Sequence, residues 1–237
     1  MSERERGAGI AAVCVALTAF SWGFVIAKVI HLPAPVLAFW RLIVGAGVLG
    51  TLAVVWRVPW PTRWRDVLIA GLAFGAHQLL YLSAVQRTSI AIVVLIGATQ
   101  PLTVAMVSHK LVGEKVPRRF FAWVLLAFVG VAIVMGANLH DPSHRVSGDL
   151  FAVVNVFMLT AYLLYSKRAR MDGAPTLTLT AAILSIALLV VAPVTLLTGV
   201  AWPNRPEWGF LLLLALGSGN GHVLVNWAHT RVSAALV

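Results

Sequence analysis

Apolar stretches about as long as a bilayer is thick recur from one end of this 237-residue chain to the other. A helix rising 1.5 Å per residue needs about 20 apolar residues to cross roughly 30 Å of hydrocarbon. Such stretches fall at residues 9–30, 35–56, 66–85, 89–110, 119–137, 149–166, 177–197 and 208–227. Between them lie segments rich in proline, glycine and charge, such as 57–65, 138–148 and 199–207, which are breakers where loops belong. Only 11% of residues are charged, against roughly 25% in a soluble domain. A surface so poor in charge must face lipid. The expectation is an all-α integral membrane protein with eight spans present, its first partner being the lipid bilayer itself.

The formal charge of +10 does not mark a nucleic-acid partner, because the cations punctuate apolar runs instead of gathering on one polar face. With the N-terminus placed in the cytoplasm, thirteen cations fall on the cytoplasmic side, including Arg57, Lys110, Lys115, Lys167 and Arg168. Lys28, Arg87, Arg145 and Arg205 fall outside, and Arg41 lies within a span. That imbalance follows the positive-inside rule and predicts a multi-pass protein of the cell (inner) membrane. Trp56, Trp60, Trp64 and Trp123 then sit at one interface and Trp202 and Trp208 at the other. The first apolar run is too long for the core of a cleaved signal peptide, and Glu3 and Glu5 dilute its positive flank. Cys14 has no partner in the chain and is read as a packing residue.

The halves resemble each other. The stretch from Gly71 aligns with that from Ala215 in one register, matching Leu72/Leu216, Gly75/Gly219, Leu80/Leu224, Ala84/Ala228, Arg87/Arg231, Ser89/Ser233 and Ala91/Ala235. In a slightly shorter register Ala34-Pro35 matches Ala174-Pro175 and Lys28 matches Lys167. Chance among small apolar residues explains some of these matches, but an Arg and a Ser in register make chance a poorer account. The expected organisation is a first five-helix repeat over 1–137, an external inter-repeat loop over 138–147, and an incomplete second repeat over 148–237. An odd number of spans inverts the second copy, as in many secondary transporters. The fold class read from this is a ten-helix transporter fold of two inverted five-helix repeats, with the last two helices missing.

The order of short motifs, each weak alone, is similar to that of the drug/metabolite transporter superfamily, in its EamA-type branch, over essentially the whole chain. The residues are Ser21-Trp22-Gly23 with Lys28 following, Pro35 with Phe39-Trp40-Arg41, Tyr81 and Ala84, Gln100-Pro101 interrupting the fourth span, Gly113-Glu114, and Gly148-Asp149 opening the second repeat. The resemblance implies a central cavity and the export or exchange of a metabolite, amino acid or drug-like molecule by alternating access. A homodimer is one assembly that such a protein could form. The chain departs from the pattern in lacking the last two helices.

Polar side chains within spans cost free energy unless they face the bundle or water. Phe74, His77, Gln78 and Tyr81 share one face of the third span, and His222 matches Gln78 in the repeat register. Asn220, His222 and Asn226 make the corresponding face of the last span, within a poor helix-forming stretch, Gly217-Ser218-Gly219-Asn220-Gly221. Together with Trp22, Arg41, Asn155 and Tyr162, these are the candidate substrate-pathway residues. For each, structural packing is the competing reading: interhelical hydrogen bonds for the polar groups, and outward snorkelling or carbonyl capping for Arg41. The fifth span reads as a peripheral, lipid-facing scaffold, and Glu114 as part of a solvated loop cluster.

Two motifs carry no site. Gly45-x-Gly47-x-x-Gly50 lies inside a span with no preceding strand, so it is a packing surface and not a dinucleotide fingerprint. His140, Asp141 and His144 lack a fourth ligand, so no metal is expected. No cofactor is expected, and no phosphate-binding loop for ATP is present. With every acidic residue in a loop or near a span end, His77 and His222 are the titratable groups expected at depth. Histidine-dependent proton antiport, substrate exchange and facilitated diffusion stay open. The alternatives to transport are a membrane enzyme, disfavoured because no His–carboxylate pair stands at helical spacing within a span, and a non-transporting structural membrane partner.

Overall fold

A computed structural model describes residues 3–114, 117–136 and 145–236. Side chains at 127, 131, 132, 134–136, 218 and 220 also lie outside the description. The described residues form ten α-helices and no strand.

Helix α1 (Glu3–Val29) carries Glu3 and Glu5 in its first turn and Lys28 in its last, each complementing the helix dipole. Helices α2 (Ala34–Val55) and α8 (Thr176–Thr198) each start beside a proline, Pro35 and Pro175, whose missing N–H costs nothing at a helix start. Helix α3 (Trp64–Arg87) ends at extended Thr88, and the Ser89 hydroxyl then caps α4 (Ile90–Gly97) by accepting from the Ile92 N–H at 3.2 Å. The fourth span is broken as expected. A turn at Ala98-Thr99 separates α4 from α5 (Gln100–Val112), and Pro101 in the first turn of α5 cannot donate back into α4. Gly113 closes α5 at φ 71°, a left-handed position that suits glycine. Helices α6 (Arg118–Gly136) and α7 (Val146–Met171) follow.

The last span is helical throughout but not uniformly so. An Asn204–Glu207 capping box starts α9 (Arg205–Leu213), a π-helical turn occupies Leu214–Ser218, and α10 (Gly219–Ala228) completes it. The stretch expected to be poor helix thus begins inside the π turn. Such bulges occur often at functional positions.

Seven helical segments among the described residues are long and apolar enough to span a bilayer, α4–α5 and α9–α10 each counting as one. The expected fifth span corresponds to α6, which is not among the seven. It touches α4 and α5 and leaves Phe121, Trp123, Leu125, Leu126 and Ile133 exposed.

Helix α3 is the centre, packed on α7, α8, α2 and α1. Its approach to α8 runs through Gly71 and Gly75, where an added Cβ would lie 2.6 Å from the Ile186 Cβ and 2.7 Å from the Ala187 carbonyl oxygen. Small residues bring the backbones together, and dispersion replaces the hydrophobic drive that lipid cannot supply. This close seat sets where the other face of α3 points, and that face carries the polar residues.

Candidate functional site

Opposite its glycine seam, α3 faces a cavity of about 500 Å³. Seven of the described helices meet there. Helix α1 supplies Phe20 and Phe24, α2 supplies Arg41, α3 supplies His77 and Tyr81, α7 supplies Asn155 and Leu159, and α10 supplies His222. Val93 of α4 and Gln100 at the start of α5 complete the wall, so the break in the fourth span opens onto the cavity.

The polar side chains are cross-braced. Arg41 is only 6% exposed, and its Nη1 donates to Gln78 Oε1 at 2.6 Å. It does not snorkel. His77 Nδ1 lies 2.7 Å from Asn155 Oδ1, a contact in which the imidazole N–H donates to the amide carbonyl. The Tyr162 hydroxyl and His222 Nδ1 are 3.3 Å apart. Each bond joins different helices, so the site is specified by tertiary packing and not by one amphipathic face.

Aromatic rings fill the gaps. Phe74 stands edge-on to His222 at 4.6 Å between centroids and tilts against Tyr162 at 4.8 Å. Phe20 lies 4.7 Å from the His222 ring, Phe24 meets Tyr81 edge-on at 5.3 Å, and His77 stacks on Tyr81 at 5.8 Å. The cavity therefore offers apolar and aromatic walls with one cation and a few orienting polar groups, the usual make-up of a small-molecule site.

Of the residues singled out from sequence, Arg41, His77, Tyr81, Asn155 and His222 line the cavity. Phe74, Gln78 and Tyr162 are buried directly behind that wall and hold it in place. Asn226 lies one turn farther along α10, where its Nδ2 donates to Thr180 Oγ1 at 2.9 Å. Asn220 falls in α10, but its side chain is outside the description. Trp22 needs correction. Its neighbours Ser21 and Gly23 line the cavity, but the 100° step per helical residue turns the indole outward, where it is 64% exposed and borders a smaller pocket with Leu213 and Leu214. Trp40, of the Phe39-Trp40-Arg41 motif, packs in a cluster with Trp202 and Trp208.

Sequence reasoning passed over several groups. Phe20 and Phe24 are four apart on α1, a spacing that would have flagged a shared face. His229 is a third buried histidine, 1% exposed, with its Nε2 3.1 Å from the Ser166 hydroxyl. Glu114 is no loosely solvated loop charge: it pairs at 2.5 Å with Lys167, whose side chain is 4% exposed. Among the described residues, no three His, Cys, Asp or Glu side chains gather to hold a metal ion. His140, Asp141 and His144 lie outside those residues.

The sequence model of the EamA-like transporter family matches residues 7–136 and 146–237. The chain is 26% identical over 210 residues to the pseudopaline exporter CntI of Pseudomonas aeruginosa, covering 87% of this chain and 72% of that protein. It is 25% identical over 208 residues to the threonine/homoserine exporter RhtA of Salmonella typhimurium, covering 86% of this chain and 66% of the relative. Against the aromatic amino acid exporter YddG of Ancylobacter novellus, identity is 29% over 168 residues, covering 70% and 56%. A solved crystal structure superposes on 98% of this chain and 80% of its own, with a TM-score of 0.71 at 21% identity, a likeness of fold alone.

Proposed function

The chain belongs to the EamA-like transporter family and is a membrane transporter of small metabolites, and from that premise we propose that it exports an amphipathic, amino-acid-like solute by alternating access, using the cavity at the meeting of α1, α3, α7 and α10. The observation that carries the proposal is the cavity itself, which holds Arg41, His77, Asn155 and His222 among Phe20, Phe24 and Leu159. Arg41 offers a guanidinium to an anionic group such as a carboxylate. The His77–Asn155 pair supplies orienting hydrogen bonds, and the aromatic rings accept the apolar remainder. Relatives named as exporters of threonine and homoserine or of aromatic amino acids support an amino-acid-like cargo.

Two inverted repeats move about this cavity. Contacts that exchange under one pseudo-dyad support the reading. Lys28 Nζ donates to the Thr88 carbonyl at 3.1 Å, and its counterpart Lys167 donates at 2.6 Å to the carbonyl of Val232, which the repeat register sets against Thr88. A Cβ on Gly9 would meet Arg231 and Val232, and one on Gly148 would meet Arg87 and Thr88, again the same positions in the two halves. The separate matches of the family model to 7–136 and 146–237 also fit two repeats. The distribution of cations supports a cytoplasmic N-terminus in an inner membrane.

The test is flux in proteoliposomes with radiolabelled threonine and tryptophan as probes. His77→Ala removes a cavity wall residue and its bond to Asn155, so saturable flux should fall roughly tenfold, the effect of about 1.4 kcal/mol. Flux equal to that of the parent protein would remove His77 from the pathway.

A further inference from the structure

At one end of the bundle, a single carboxylate ties three elements together. Glu114, just past the C-terminus of α5, places Oε1 2.5 Å from Lys167 Nζ on α7. Its Oε2 accepts the Ala234 N–H, in the segment after α10, at 2.8 Å. Lys167 Nζ donates in turn to the Val232 carbonyl at 2.6 Å. The ammonium is almost wholly buried, so parting the pair would strand a charge in a poorly polar setting. Along the chain between cavity-lining His222 and Val232, Asn226 and His229 are buried and hydrogen-bonded to Thr180 and Ser166.

The opposite end is built differently. Lys28 donates to the Thr88 carbonyl at 3.1 Å, and the Thr88 hydroxyl donates to Asp149 Oδ1 at 2.8 Å. Among the described residues no carboxylate forms an ion pair with Lys28. The cavity leans toward this end: its lining includes Val25, one turn before Lys28, and Ile90, at the start of α4. One end is closed by a buried ion pair, whereas at the end toward which the cavity extends the Lys28 ammonium is held by a backbone carbonyl and the Asp149 carboxylate accepts from a hydroxyl.

We propose that Glu114 and Lys167 form the bolt of an inner gate, which holds α7, the end of α5 and the segment after α10 together, and which must part for the cavity to open toward that face. The inference rests on the alternating-access reading and names the residues that hold one of its two states. A conformational equilibrium shifts only by the free energy that distinguishes its states, and this contact exists in the closed one. A charge swap would not restore the bolt, because the ammonium also faces a carbonyl and the carboxylate also faces an N–H.

Side-specific thiol labelling tests it. With Cys14→Ala as background, Ser166→Cys reports the sealed end and Ser21→Cys reports the cavity. A membrane-impermeant maleimide is added to one face of oriented proteoliposomes at a time. Glu114→Gln should speed labelling at position 166 from the bolted face roughly tenfold and slow labelling at position 21 from the other face. Glu114→Gln combined with Lys167→Met, which leaves no stranded charge should the single variant fold poorly, should do the same. Asp172→Asn, which breaks the exposed 2.8 Å pair with Arg63, should change neither. Labelling unchanged at both reporters, or raised at both as in a general loosening, overturns the bolt. If saturable threonine or tryptophan counterflow persists in that case, alternating access stands and the bolt alone fails. If the parent protein shows no counterflow, both fail.

Discussion

Gly75→Ala puts one methyl group into the seam that seats the site. The new Cβ would lie 2.7 Å from the Ala187 carbonyl oxygen, 2.9 Å from the Val190 Cβ and 3.1 Å from the Ala187 Cα. None of these atoms can be moved by a rotamer change, so α3 and α8 must part by roughly half an ångström to restore ordinary contact. Overpacking of this kind costs about 1–3 kcal/mol. Alanine returns about 1 kcal/mol of helix propensity over glycine. Packing wins, with a net loss of about 1 kcal/mol. Gly47 on α2 is the control, because a Cβ there meets nothing within 4 Å. There the propensity term acts alone, so Gly47→Ala should be neutral or stabilising by up to about 1 kcal/mol. The two variants should therefore separate by roughly 2 kcal/mol in detergent unfolding followed by intrinsic tryptophan fluorescence. His77 follows Gly75 by two residues, so Gly75→Ala should also weaken substrate binding. A Gly75→Ala protein as stable as Gly47→Ala would refute the claim that backbone contact seats α3.

Other changes discriminate in the same way. Arg41→Lys keeps the charge but loses the planar geometry of the bond to Gln78, and saturable flux should fall roughly tenfold. If the halves are repeats, Gly9→Ala, pressing on Arg231 and Val232, and Gly148→Ala, pressing on Arg87 and Thr88, should both lower stability, by about 1–2 kcal/mol each; a large loss at one and none at the other would speak against equivalent seats. Asn204→Ala removes the exposed α9 capping box and should cost about 1 kcal/mol in the same unfolding assay, with the KM for transport unchanged.

The helices were legible because their cause is local: an apolar run and a breaker need no knowledge of the rest of the chain. So was the break at Gln100-Pro101, since proline cannot donate to the preceding turn. The inward face of α3 could be read because His77, Gln78 and Tyr81 repeat at helical spacing, and polar groups at depth have nowhere else to go. Trp22 was misplaced because motif position says nothing of rotation about α1, and one residue either way turns a side chain from cavity to lipid. The Glu114–Lys167 pair was illegible for a different reason. Its partners lie more than fifty residues apart, and a carboxylate at a helix end looks solvated until another helix covers it. His229 escaped because the C-terminal turn of α10 reads as a span end, although the packing buries it completely.

The central claim is one cavity that opens to each face in turn. Counterflow in proteoliposomes measures it most directly: vesicles loaded with unlabelled threonine or tryptophan are diluted into a trace of the labelled solute, and internal label is followed in time. Alternating access predicts a transient overshoot that saturates with substrate and collapses in His77→Ala. Label that enters linearly without overshoot, or not at all, contradicts it.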